Sequence, residues 1–480
     1  MMISALALAA AVAAAPALNA DCAGGLCDYA VLRPYFEKLV SARDGSGKPV
    51  HILQIGDSHT AGDAITGAWR DLLQARYSSG GRGVMPPGKP FQGYNPRGVS
   101  VDMSAGWKIS SIFGQGSSEP RAPLGVAGFS ITSTVEGARI GMTASATQSF
   151  TRFILCAMAQ PGAGTLAISV GGETERMDLG ALIARPECKE MRFDQPQAAV
   201  SVVAEGGPVT ITSWASFRDR GGVALSNVGV VGSQLVHFGR NDESVVAEEL
   251  RSYRPDLIVL AFGTNEGFAP RVSAQEYEIV LRSQIGRIRR LAGNVPIMLL
   301  GAPDALSRRP EMLVNAPTMT PAPCSEPMML PVAPPAPAPD PKVDDSGIDD
   351  ILAALDDRVT GAQPTAPVVP PPTPPRPAVT PAPASAQQQL KWVIPARPLF
   401  PPPGLKVVRD VQRRVAHQLR IGFWDWQARM GGRCTAVSWV KILPARMRND
   451  YVHYNTAGGQ DIASRLQADM DAAANAGWRW

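Results

Sequence analysis

His51-Ile52-Leu53-Gln54-Ile55 is an apolar stretch that runs directly into Gly56-Asp57-Ser58-His59-Thr60. A buried strand ending this way and passing into a helix sets a hydroxyl on the carboxyl edge of a sheet, where open α/β sheets bind their ligands. Working outward, the run Leu257-Ile258-Val259-Leu260-Ala261-Phe262 is followed by Gly263-Thr264-Asn265-Glu266, again a strand ending in small and polar residues. Near the last helical pattern, Asp450-Tyr451-Val452-His453 places a carboxylate and an imidazole three residues apart. A serine, an imidazole with an orienting carboxylate and an amide donor are the groups that acyl transfer needs.

The blocks resemble those of the SGNH (GDSL-type) hydrolases and fall in that family's order. Gly56-Asp57-Ser58 resembles the first, Asn227-Val228-Gly229-Val230-Val231-Gly232 the second, Gly263-Thr264-Asn265-Glu266 the third, and Asp450-Tyr451-Val452-His453 the last. The resemblance implies Ser58 as nucleophile, His453 as base and Asp450 as its orienter. It implies an oxyanion hole from the backbone N–H groups of Ser58 and Gly232 and the Asn265 amide. Two positions depart from the family pattern: His59 stands where an apolar residue is usual, and Glu266 where Asp is usual. A bland account exists for each residue. Serine is a favoured helix N-cap, Asp450 suits a solvated loop or a helix cap, Gly232 suits a tight turn, and Glu266 reads as a helix-start acid with a supporting role behind the site as the alternative; the four blocks in order favour chemistry.

Around the blocks, strands alternating with helical patterns imply a parallel sheet with helices on both faces. Helices are expected at Ala30–Val40, Ala64–Arg76, Glu243–Ser252, Ala274–Leu291, from Val407 to Gly422 and at Ala457–Ala474, and Phe423–Trp426 reads as an edge or final strand. From Val99 to Phe217 short runs alternate apolar with small polar residues between glycine-rich turns, the pattern of an all-β sandwich. The stretch Ser78–Gly98 carries too many Gly and Pro residues for regular structure. From 310 to 403 proline accumulates, and such a segment is expected to be disordered or polyproline II, with a short amphipathic helix at Asp349–Arg358. The expected architecture is therefore α/β: a three-layer α/β/α hydrolase domain with a parallel sheet, in three parts (29–98, 220–309, 404–476). It is interrupted by a β-sandwich at 99–219 and the proline-rich segment at 310–403.

Residues 1–20 are apolar and alanine-rich and read as a signal peptide cleaved after Ala20, which places the mature chain in the periplasm or beyond. The net charge of +4 over 480 residues is mild and its basic residues are scattered, giving no support for nucleic-acid binding. No run reaches the length of a spanning helix. Six cysteines suit an oxidising compartment; proximity suggests Cys22 with Cys27 and Cys156 with Cys188, leaving Cys324 with Cys434, although 15 pairings are possible. Metal binding is the rival use of these thiols, and no Cys-x-x-Cys or neighbouring His supports it.

In the loop after the first block, Arg82, Lys89, Phe91, Tyr94 and Arg97 mix charge with rings: they either grip an anionic glycan, with Arg82 and Tyr94 as candidate contacts, or are structural decoration. His59 either lines the site or is structural. His237 and His417 read as surface or packing histidines, and Trp424, Trp426 and Trp439 as packing residues. The layout is similar to bacterial peptidoglycan O-acetylesterases of the SGNH superfamily, which carry a carbohydrate-binding-module-like β domain within the catalytic domain. That resemblance implies removal of acetyl groups from cell-wall glycan through an acetyl-serine, with no metal or organic cofactor. Other polysaccharide or lipid esters are open as substrates. So is a cell-wall-binding or assembly role with a vestigial triad, with an unknown partner for the proline-rich segment.

Overall fold

The structure is a computed structural model that describes residues 21–42, 48–113, 122–269, 271–308, 324 and 399–476. The signal-peptide stretch and the Asp349–Arg358 helix lie outside the described residues, as does the proline-rich segment except for Cys324 and residues 399–403.

The chain is a mixed α/β protein built on three sheets. One has seven strands. In spatial order these are Val223–Gly229, Val50–Gly56, Leu257–Ala261, Ile297–Leu300 and Gly422–Trp424, followed by the small hairpin Leu26–Cys27 and Cys22–Ala23. The first five pair in parallel, and the hairpin adds antiparallel at the end. Gly422–Trp424 is the last strand in chain order among the described residues, as one half of its expectation had it, but it is not an edge, because the hairpin Leu26–Cys27 and Cys22–Ala23 covers it.

The parallel strands are apolar throughout because both faces are covered. Ile52, Leu225, Leu257 and Val259 pack with Tyr35, Trp69, Leu73, Trp439, Ile462 and Leu466 on one side. Their alternates Leu53, Ala224, Ile258 and Leu260 pack with Leu250, Leu281, Ile285, Val408 and Val411 on the other. The helices that supply these side chains run close to the expected bounds: Arg33–Ala42, Ala64–Tyr77, Glu243–Tyr253, Ala274–Ala292, Pro403–Leu419 and Thr456–Ala476. The fifth begins four residues before its expected start, since proline is tolerated in a first helical turn. Two short helices, Trp426–Met430 and Thr435–Lys441, were not anticipated; neither is long enough to show a helical period.

The other two sheets are antiparallel and come from residues 83–217. The five-stranded one runs Glu173–Asp178, Thr165–Val170, Ala199–Glu205, Arg139–Ala144, Val99–Met103. The six-stranded one runs Arg185–Gln197, Phe150–Ala159, Val209–Phe217, Phe129–Ser133, Trp107–Ser111, with Gly83–Met85 also pairing on Val209–Phe217. Strand Gly83–Met85 falls in the glycine-rich stretch expected to be irregular. Its neighbour strand supplies the pairing that its composition does not favour. A single core that includes Ile131, Ile140, Phe153, Leu155, Ile168, Val202 and Trp214 draws on both sheets.

Helix Glu243–Tyr253 is bolted to this region by one carboxylate. Buried Glu249 accepts hydrogen bonds from Thr212, Ser213 and the Val126 N–H. Disulfides join Cys22 to Cys27, Cys156 to Cys188 and Cys324 to Cys434. At the near end of the proline-rich segment, Leu399 bonds to Cys324 and Phe400 to Ser307, so residues 399–403 belong to the folded part.

Candidate active site

Gly56 ends its strand because nothing larger fits: a Cβ there would stand 2.3 Å from Thr60 Oγ1 and 2.6 Å from the Ala261 carbonyl. The chain then turns at Asp57, whose side chain caps the short helix Ser58–Ala61 by accepting the His59 N–H at 2.9 Å. Ser58 thus occupies the first helical position, where backbone N–H groups have no intrahelical acceptor. Its hydroxyl lies at the floor of a cavity of about 500 Å3.

His453 comes from the turn before the last helix, 395 residues away, and its Nε2 is 2.9 Å from Ser58 Oγ. Its Nδ1 is 2.7 Å from Asp450 Oδ2. The other oxygen, Asp450 Oδ1, accepts the N–H groups of Val452 at 2.8 Å and His453 at 2.9 Å. Tyr451 between them takes a left-handed backbone, φ 61°, which folds the three-residue spacing into one turn. Burial opposes the Asp450 charge, but His453 and these N–H donors outweigh it and hold the carboxyl at about 2. With Nδ1–H given to Asp450, Nε2 is left to accept the Ser58 proton.

The second and third blocks meet beside this pair. Gly232 takes φ 75° in the turn after strand Val223–Gly229. That turn is pinned to the serine loop by the Val230 N–H (3.0 Å) and Ser233 hydroxyl (3.3 Å), both donating to the Gly56 carbonyl. Asn265 spends one amide N–H on the Ser233 carbonyl at 2.9 Å. Asn265, from the short helix Thr264–Gly267, is thereby tied to the turn that carries Gly232.

Glu266 lies in the first turn of the short helix Thr264–Gly267, as expected of a helix-start acid. It is buried, and its Oε1 accepts the Leu235 N–H at 2.7 Å, so it braces the Gly232 turn from behind. Burial is the main cause that pushes its carboxyl up to about 7, with Asp57 adding to it.

The loop candidates divide. Arg82 does not reach the cavity. It is fully buried, with Nη2 donating to Asn227 Oδ1 at 2.6 Å and Asp63 Oδ2 at 3.2 Å, and Nε to the Arg97 carbonyl. Arg70 joins the same Asp63 carboxylate at 2.9 Å. Burial opposes that carboxylate's charge, yet the two guanidinium groups hold it well below the usual range. Asn227 passes the network on to the Thr60 carbonyl, so Arg82 supports the serine loop and is no substrate contact. Tyr94 is also displaced from its expected role: its ring packs on Phe91 and against the β core, and it does not line the cavity. Phe91 and Arg97 do line it, joined by Asn95, Arg448 and Asn455, three residues whose position no local pattern marks. Lys89 is exposed.

His59 is buried directly beneath His453, the rings stacked at 5.4 Å with 27° between planes. His417 is half-buried and pairs with Asp28, while His237 closes a capping box with Gln234. Trp424, Trp426 and Trp439 are buried packing residues, as expected.

No protein-family model and no curated protein matches the chain. Solved structures do. A peptidoglycan O-acetylesterase, 23% identical, aligns over 94% of this chain and 100% of its own with a TM-score of 0.65. The chain resembles the SGNH hydrolases. The two proteins share a fold across nearly the full length of both. Two others cover less. A family two carbohydrate esterase from Cellvibrio japonicus is 13% identical over 43% of this chain and 79% of its own, TM-score 0.16. A protein assigned as a GDSL-like lipase, from Parabacteroides merdae, is 15% identical over 52% and 74%, TM-score 0.27.

Proposed function

We propose that this protein is an exported serine esterase that removes O-acetyl groups from cell-wall glycan, peptidoglycan above all. The observation that carries the reading is the hydrogen-bonded chain from Ser58 through His453 to Asp450 at the floor of an open cavity. In this reading His453 Nε2 takes the Ser58 proton as Oγ attacks the acetyl carbonyl. The oxyanion is met by the Ser58 and Gly232 N–H groups and the Asn265 amide. Collapse breaks the ester C–O bond, and the departing sugar oxygen takes the proton back from His453. Water then repeats the sequence on the acetyl-serine and releases acetate.

The cavity supports a carboxylate-bearing glycan as substrate. Arg97 and Arg448 line it with Asn95, Asn455 and the Phe91 ring, and no Asp or Glu is among the described residues that do. Asp71 holds the Arg97 guanidinium at 2.6 Å, which fixes its direction and offsets part of its charge. The shared fold with a peptidoglycan O-acetylesterase directs the choice of polymer, and the three disulfides suit an exported chain. To the same reading belong a signal peptide over 1–20 and a three-layer hydrolase domain formed by 29–98, 220–309 and 404–476, with 99–219 as an inserted β-sandwich domain.

The test is acetate release from O-acetylated peptidoglycan, with acetylated xylan and p-nitrophenyl acetate alongside, for wild type and Ser58→Ala. Serine-dependent release favouring peptidoglycan supports the reading. Release confined to xylan or the small ester keeps the mechanism and removes the substrate.

A further inference from the structure

Directly below the His453–Asp450 pair lies a second one. His59 Nδ1 is 3.2 Å from Asp57 Oδ1, and on the far side of the ring Nε2 is 3.0 Å from the Val452 carbonyl oxygen. Both neighbours are acceptors. A neutral imidazole carries one N–H, so in either tautomer it would set a nitrogen lone pair against an oxygen lone pair; only the doubly protonated ring satisfies both contacts. The surroundings suit a cation. His59 is 6% exposed, its ring meets the edges or faces of Trp426 and Tyr454 at 5.5 Å, and its counter-charge Asp57 is 1% exposed. The titratable groups that face it are Asp57 from its own loop, and Asp450, His453 and Tyr454 from the opposite turn. Burial works against the imidazolium, but Asp57, the Val452 carbonyl and Asp450 outweigh it and raise its pKa above 6.5.

Val452 immediately precedes His453, and its N–H is one of the donors that fold the Asp450 turn. The other end of the clamp, Asp57, immediately precedes Ser58. The residues that immediately precede Ser58 and His453 are thus held together through one ring.

We propose that His59 is a positioning residue: as an imidazolium clamped between Asp57 and the Val452 carbonyl, it sets the separation of Ser58 and His453. The proposal rests on the reading of those two residues as nucleophile and base, and it gives a reason for a histidine where SGNH sequences usually carry an apolar residue. An apolar side chain fills the space but makes neither bond. The clamp's contribution is present in full below pH 6.5, the unfolded value. It is lost as pH rises through the higher folded value, when one of the two ring protons leaves.

The test uses the full chain labelled with 15N-histidine, the His59 signal being the one lost in His59→Gln. The side-chain spectrum at pH 6.5 is expected to show both His59 ring nitrogens protonated. Hydrolysis of p-nitrophenyl acetate by His59→Phe, which keeps a ring under His453, is expected to fall about tenfold or more in kcat with KM nearly constant, because misplacing a catalytic group lowers the rate more than binding. His59→Gln, able to donate to Val452 without charge, should recover part of the loss and lack the wild-type decline on the alkaline side. A singly protonated His59 at pH 6.5, or a folded His59→Phe with kcat within about twofold of wild type, overturns the proposal. The spectrum of the wild type decides even if His59→Phe does not fold. Full activity in Ser58→Ala would instead remove the underlying reading, an outcome distinct from a His59 variant that is active while Ser58→Ala is not.

Discussion

His453 Nδ1 stands 2.7 Å from Asp450 Oδ2, and the same carboxylate holds the Val452 and His453 N–H groups with its other oxygen. Asp450 therefore shapes the turn that delivers the imidazole as well as fixing its tautomer.

Asp450→Asn is expected to lower kcat on p-nitrophenyl acetate by about 10²- to 10⁴-fold, since an amide can hold the turn through its carbonyl while presenting the wrong hydrogen to Nδ1. The folded carboxyl sits at about 2. Its contribution to stability is full above pH 3.8 and is lost as pH falls through 2. A pH–rate profile should accordingly show no acid limb from Asp450 between pH 4 and 7.

Arg82 carries a different expectation. Its guanidinium is buried against Asp63 and Asn227, and removing one partner of a buried ion pair costs about 3 to 5 kcal/mol. Arg82→Met should lower the denaturation midpoint by a corresponding amount, measured in urea, while KM for a glycan substrate stays close to wild type at temperatures where the variant is folded.

Glu266 is a buried carboxyl whose Oε1 takes the Leu235 N–H and whose Oε2 has no partner among the described residues. Because its folded value is raised to about 7, the native state keeps a proton that the unfolded chain releases near 4.5. Stability falls as pH rises between those values, by roughly 3 kcal/mol. Glu266→Gln should remove that slope: little change at pH 4, a higher melting temperature than wild type at pH 8.

The disulfide Cys324–Cys434 closes a loop of 110 residues that contains most of the proline-rich segment. In the chain-entropy account such a closure contributes about 4 to 5 kcal/mol. The double variant Cys324→Ser/Cys434→Ser should show a loss of that order in chemical denaturation, with the denaturant slope increased because its unfolded state is less constrained.

These residues also mark how far the sequence could be read. Ser58, Asp450 and His453 sit in short blocks whose local pattern carries their chemistry, and the structure brings all three within hydrogen-bond distance. The parallel strands were legible because burial on both faces makes them continuous apolar runs. Arg82 was misread because a basic residue in a glycine-rich loop looks solvent-facing; its partners Asp63 and Asn227 lie 19 and 145 residues away, and nothing local announces them. Glu266 starts a helix as its position suggests, but its bond to the Leu235 N–H, 31 residues away, has no local signal. Asn95, Arg448 and Asn455 reach the cavity from loops 350 residues apart in sequence, so only the fold unites them. The Asp57–His59 contact carries no motif of its own; the tight turn at Asp57, two residues before His59, brings the two side chains together.

The most direct measurement of the central claim is acetate release from O-acetylated peptidoglycan by wild type and Ser58→Ala at equal concentration. The account predicts release by the wild type and loss of at least about 10³-fold in the variant, as expected when the nucleophile of a serine triad is removed. Equal release by both proteins, or none by the folded wild type from peptidoglycan, xylan or the small ester, would contradict it.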